Sequence, residues 1–82
     1  MKTFILTDND EGVIVAAVQT EGLDDGRFLT KAKQAISEHF CLNSVELFNW
    51  VDSSKKNTLY VEGMNDDERQ GYSIGVVEVV CY

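Results

Sequence analysis

Few residues in this 82-residue chain carry side chains able to do chemistry beyond folding. There is one histidine, His39, with Cys41 two positions on and Cys81 far downstream. Together they offer at most three metal ligands. Structural zinc takes four, drawn from close-spaced pairs such as CxxC, and no such pair occurs. As a nucleophile and base, Cys41 and His39 have no recognised spacing. His39 falls on the apolar stripe of a helical segment, near its end, which predicts a packed histidine in a place where the helix dipole favours imidazolium. The two cysteines are too few for a disulfide scaffold and read as small buried hydrophobes.

Carboxylates are more plentiful. Glu46, Glu62 and Glu78 each sit in a strand-like segment, and a pair on one sheet face could serve as acid and base. A domain this small offers no deep cleft, so they read instead as the polar share of a half-covered sheet. Gly22 and Gly26 flank a helix start, but Asp24 and Asp25 between them would repel a phosphate. These residues predict no catalytic group, no metal site and no cofactor.

The elements that would position them follow from periodicity and turn chemistry. Lys2 to Thr7 reads as a strand, and Asp8-Asn9-Asp10-Glu11-Gly12 as a hairpin loop. Val13 to Thr20 is a second strand, and its unbroken apolar run, Val13 to Val18, predicts a central strand covered on both faces. Asp24 or Asp25 can cap a helix running to about Phe40. Its apolar stripe is Phe28, Leu29, Ala32, Ala35, Ile36, His39 and Phe40, with Arg27, Lys31 and Lys33 on the solvent side. Three strands follow: Ser44 to Asp52, Thr58 to Glu62 and Tyr72 to Tyr82. An acidic, glycine-flanked loop over residues 63–71 is expected to be exposed. The fold class is α+β in the order ββαβββ, a mostly antiparallel five-stranded sheet with one amphipathic helix packed on one face. One domain spans residues 1–82. The two hairpins can join through strands one and five or through strands two and three.

Alternation in the second half assigns faces, because successive strand residues point to opposite sides. With one numbering parity carried through all three strands, Val45, Leu47, Val51, Leu59, Val61, Val77, Val79 and Cys81 form an aliphatic core. The other set holds Glu46, Phe48, Trp50, Tyr60, Glu62, Tyr72, Ile74, Val76, Glu78, Val80 and Tyr82. A single bulge would move later residues of its strand to the opposite face. One helix covers one side only. The second face, aromatic and acidic, is therefore the expected partner-binding surface, through Phe48, Trp50, Tyr60, Tyr72, Glu46 and Glu62. On that assignment Trp50→Glu should yield a monomer.

Composition narrows the partner. The chain carries 14 acids against 7 bases, a formal net charge of −7. That repels nucleic acid and anionic membrane at long range. No run of about 18 apolar residues could span a bilayer. The apolar start, Phe4-Ile5-Leu6, is too short for a signal peptide, so a cytoplasmic protein is expected. The chain thus reads as a non-enzymatic protein-interaction domain, a homodimer or the subunit of a protein partner, with neither nucleic acid nor membrane involved. The alternative is an acidic inhibitor that imitates nucleic acid through Asp8/Asp10/Glu11, Glu21/Asp24/Asp25 and Asp66/Asp67/Glu68. A small-ligand binder or enzyme ranks third.

Overall fold

Five strands and one helix follow one another as β1 (Lys2–Asp8), β2 (Val13–Thr20), α1 (Gly26–His39), β3 (Ser44–Trp50), β4 (Thr58–Asn65) and β5 (Glu68–Val79). The computed structural model describes residues 1–79. The expectations placed on Val80, Cys81 and Tyr82 lie outside the described residues. The strands form one sheet in the order β2-β1-β5-β4-β3, with every neighbouring pair antiparallel. The hairpins therefore join through the first and last strands. The twelve-residue β5 is the shared seam: its later part pairs with β1 and its earlier part with β4.

The helix forms where capping and spacing agree. Asp25 accepts a bond from the Arg27 backbone N–H at 3.0 Å, satisfying one of the donors a helix start leaves free. Phe28, Ala32 and Ile36 recur every fourth residue and are fully buried. They seal a core with Phe4, Leu6, Val18, Val45, Leu59, Val61, Ile74 and Val76 from all five strands. Leu29, expected on the buried stripe, is 40% exposed. At the far end Leu42 N–H donates to Ser37 and Cys41 N–H to Glu38, with Cys41 at φ 56°. That is a Schellman cap, whose left-handed residue is usually glycine. The cap turns Cys41 outward, so it is exposed rather than a buried hydrophobe. His39 is likewise exposed, touching Phe40 edge-on at 4.7 Å.

Two elements differ from expectation. β2 is an edge strand, not a central one. Its unbroken apolar run arises because Val15 is an extra residue between the pairs Leu6↔Ala16 and Thr7↔Ile14. Val15 then packs on the core while Ile14 lies 67% exposed on the other side. The second difference is the segment 63–71. It is not a long loop but the tip of a continuous hairpin, closed by Asp66 and Asp67 between the paired Asn65 and Glu68. Asp66 takes φ 56°, a conformation aspartate tolerates in tight hairpin turns.

Candidate protein-interaction face

That two-residue turn decides which side chains share a face. In an antiparallel pair, directly opposed residues point the same way. Across β4 and β5 the partners are Leu59↔Ile74, Val61↔Tyr72 and Glu62↔Gly71, so odd residues of one strand face with even residues of the other. Across β3 and β4, Phe48↔Val61 and Trp50↔Leu59 show the same inversion. A register shift between Val45 and Leu47 leaves Glu46 as the extra residue, so Val45 shares a side with Phe48 and Trp50. A single parity through all three strands therefore fails at two hairpins and one bulge.

The proposed partner-binding set is split as a result. Phe48, Trp50 and Tyr72 lie on the helix side, half-buried against the core. Trp50 stacks on Phe28 at 6.0 Å, and Phe28 meets Phe4 edge-on at 5.3 Å. Tyr72 stacks on Phe40 at 4.0 Å. Burial under Phe40, helped by the charge of Asp8, raises the Tyr72 hydroxyl pKa above the ordinary value. Ile74, Val76 and Glu78 share this side. In exchange, Leu47, Val51, Val77 and Val79, expected in the core, are all exposed.

Only Tyr60, Glu62 and Glu46 remain together on the open side. The Tyr60 hydroxyl donates to Glu62 Oε1 at 3.0 Å. Arg69 Nη2 donates to Glu46 at 2.9 Å, and its Nη1 lies 3.7 Å from Glu62. The bond to Glu62, more than burial or bare charge, pushes the Tyr60 pKa up. Tyr60 lies over Gly71, where a Cβ would come within 2.7 Å of its hydroxyl. One guanidinium between two carboxylates leaves no free acid–base pair here.

The other end of the open face was not anticipated. Ala17, Ile5 and Val77 stand in one cross-strand row over β2, β1 and β5. Ile14 and Val79 lie diagonally beside it, Val77 being 58% and Val79 40% exposed. Thr3, Thr7, Gln19 and Gly75 complete this end, paired across the same strands. None of these nine residues is charged. In the sequence this end shows only as Ile5 between Thr3 and Thr7, and a single apolar residue on a strand face is ordinary.

Other places offer less chemistry. An open depression of ≈ 620 Å³ at the helix N-terminus is lined by Lys2, Phe4, Leu23, Asp24, Ser54 and Lys56, among others. Two ion pairs lie in it, Lys56 with Asp24 and Lys2 with Glu78, and Glu21 and Lys55 also line it. Among the described residues no group of three or more His, Cys, Asp or Glu side chains is placed to hold a metal ion. Nor is any described helix long and apolar enough to cross a membrane. No protein-family model matches this chain, and neither the curated proteins nor the solved structures include a significant match to it.

Proposed function

We propose that this chain is a non-enzymatic interaction domain that presents the open face of its sheet to another protein surface. The observation that carries it is the uncovered apolar row Ala17–Ile5–Val77 with Ile14 and Val79 beside it. Scattered exposed apolar residues are ordinary, but a contiguous patch marks an interaction site. Tyr60, Glu62 and Glu46 form the polar end of the same face. Phe48, Trp50 and Tyr72 are withdrawn from the contact set.

The acidic-inhibitor alternative draws less support. Of its three clusters, Asp8 is buried, Asp24 faces Lys56 and Asp25 is bound at the helix cap. Asp10, Glu11, Glu21 and the Asp66-Asp67-Glu68 hairpin tip stay open. An enzyme would need a deep cleft with convergent reactive groups, and the depression near Lys56 is open and holds two ion pairs.

A photo-crosslinking residue at position 77, in the protein's native cells, tests the proposal against the same probe at Thr30 on the helix's solvent side. A discrete adduct from position 77 alone is expected, reproduced with purified components and lost in Val77→Glu protein probed at position 79. Equal adducts from both positions, or none from either, would overturn it.

A further inference from the structure

The sheet ends in two edges, β2 and β3, and the chain treats them differently. Along an antiparallel strand, backbone groups alternate between facing one neighbour and facing the other. On β2 the outward carbonyl of Gln19 is taken by the Lys31 ammonium at 2.9 Å, and the extra residue Val15 breaks the row further along. A lysine and a bulge are two ways in which proteins close an edge to further strands. On β3 the Val51 N–H donates inward to Thr58 at 2.9 Å, so Leu47 and Asn49 face β4 as well. Phe48 and Trp50 therefore turn their N–H and C=O groups outward, and no backbone partner among the described residues meets them. β3 carries no lysine, and its bulge at Glu46 precedes this stretch.

We infer that the β3 edge, Leu47 to Val51, takes an extended segment of another protein as an added strand, one with a basic side chain at each end. The outward groups of Phe48 and Trp50 supply the ladder. Only their backbone is used, since their side chains stay on the core. Carboxylates bracket the stretch and set the partner's charge. At one end Glu46 and Glu62 share the single guanidinium of Arg69, which leaves one negative charge. At the other end the Asp52 carboxylate is bound only by Ser54, through N–H at 3.0 Å and Oγ at 2.7 Å, while Lys56 of the same turn is held by Asp24. Glu46 and Asp52 lie six positions apart, about 20 Å in an extended strand, which a seven-residue segment spans.

A second copy fits this edge poorly. The antiparallel register that pairs Phe48 of each copy with Trp50 of the other also sets Glu46 opposite Asp52, twice. Like charges directly opposite are destabilising, and each copy carries −7. A segment with basic ends meets both carboxylates and is steered to the edge by them.

Residue-resolved amide hydrogen exchange tests this with a capped probe peptide, Lys-Thr-Val-Thr-Val-Thr-Lys. With its lysines beside Glu46 and Asp52 in the antiparallel register, its valines fall opposite Phe48 and Trp50. In the free protein the Phe48 and Trp50 amides should exchange quickly, and those of Asn49 and Val51 slowly. Millimolar probe should slow Phe48 and Trp50 by about fivefold or more, and leave Ala17 and Gln19 on the β2 edge unchanged. N-methylation of both valines, which removes the donors aimed at the edge carbonyls, should abolish the effect. Glu46→Gln and Asp52→Asn should each weaken the probe about threefold, and glutamate in place of both probe lysines should weaken it further. Unchanged exchange at Phe48 and Trp50, equal protection by the N-methylated probe, or equal binding of the glutamate-ended probe would overturn the inference. Slow Phe48 and Trp50 amides in a wild type of twice 9.2 kDa would give the edge to a second copy and overturn it too. The inference stands apart from the open face: Val77→Glu should bind the probe like the wild type, so either reading can fail alone.

Discussion

The two faces of this sheet are built from the same kinds of residue and behave differently because of what lies above them. On the helix side Leu59, Val61, Ile74 and Val76 meet Phe28, Ala32 and Ile36 and are almost wholly buried. On the open side Ile14, Val77 and Val79 are exposed and Ile5 is half-buried. The helix is narrow: its close neighbours are β2 and β3, the two edges it connects. Aromatic side chains extend its cover, Phe28 reaching Phe4 and Trp50, and Phe40 reaching Tyr72. A small sheet can thus close one side with a single helix, provided its large rings are on that side. Aliphatics left on the other are surplus to folding.

Paired glutamate substitutions test that difference most strongly. Trp50→Glu removes the ring stacked on Phe28 and puts a carboxylate against the core edge. A cost of about 2–4 kcal/mol is expected. In a domain of this size that is a large part of total stability, visible as a fall in melting temperature and a loss of near-ultraviolet signal. Val77→Glu should change stability by less than about 0.5 kcal/mol, since its side chain is 58% exposed. Trp50 is therefore a stability residue, and a monomer obtained by mutating it would report unfolding rather than a broken interface. Equal melting temperatures for the two variants would break the distinction between the faces.

Glycines sharpen it further. Gly63 lies under Leu42 on the helix side, where a Cβ would collide with a leucine methyl. Leu42 is itself buried, so Gly63→Ala must shift packed atoms, at a cost of about 1–3 kcal/mol. Gly71 lies under Tyr60 on the open side, with a comparable 2.7 Å clash. There the obstacle is the far end of an exposed side chain, which can swing away. Gly71→Ala should be close to neutral in chemical denaturation. Similar midpoints for both variants would mean Tyr60 is held as firmly as Leu42.

The fold was legible because its signals are local. The helix announces itself through Asp25 and the spacing of Phe28, Ala32 and Ile36, and the strands through β-branched runs between polar turns. Faces were not legible, because they depend on loop length and bulges that composition hides. Val45, Glu46 and Leu47 look like a plain alternation; only the register reveals Glu46 as the extra residue. Likewise, the acidic stretch Asn65 to Glu68 reads as a loose loop, yet two residues close it and reverse the parity of everything in β5 relative to β4. Tyr60 and Glu62 escaped the error only because they were already assigned opposite the core within their own strand. The uncharged end of the open face went unseen for the same reason: Val77 and Val79 were phased with Val61, which β5 actually places on the other side.

The smallest expected effect compares one tyrosine from each face. Both hydroxyls have raised pKa values, but from different causes: Tyr60 chiefly from its bond to Glu62, Tyr72 chiefly from burial. A tyrosine holds no charge until it loses its proton, so a raised value means the folded state keeps that proton longer than the unfolded chain does. Below about pH 10, where unfolded tyrosine begins to ionise, both states are protonated and the stabilisation is fully present. As pH climbs from there through the raised values, the unfolded chain ionises first and stability falls. Glu62→Gln removes the carboxylate that holds the Tyr60 proton. Absorbance titration, assigned with Tyr60→Phe and Tyr72→Phe, should then show Tyr60 moving down toward its ordinary value while Tyr72 does not move. A joint shift of both would mean that the sheet transmits the open-face charge to the helix side, and that the two faces are electrostatically one.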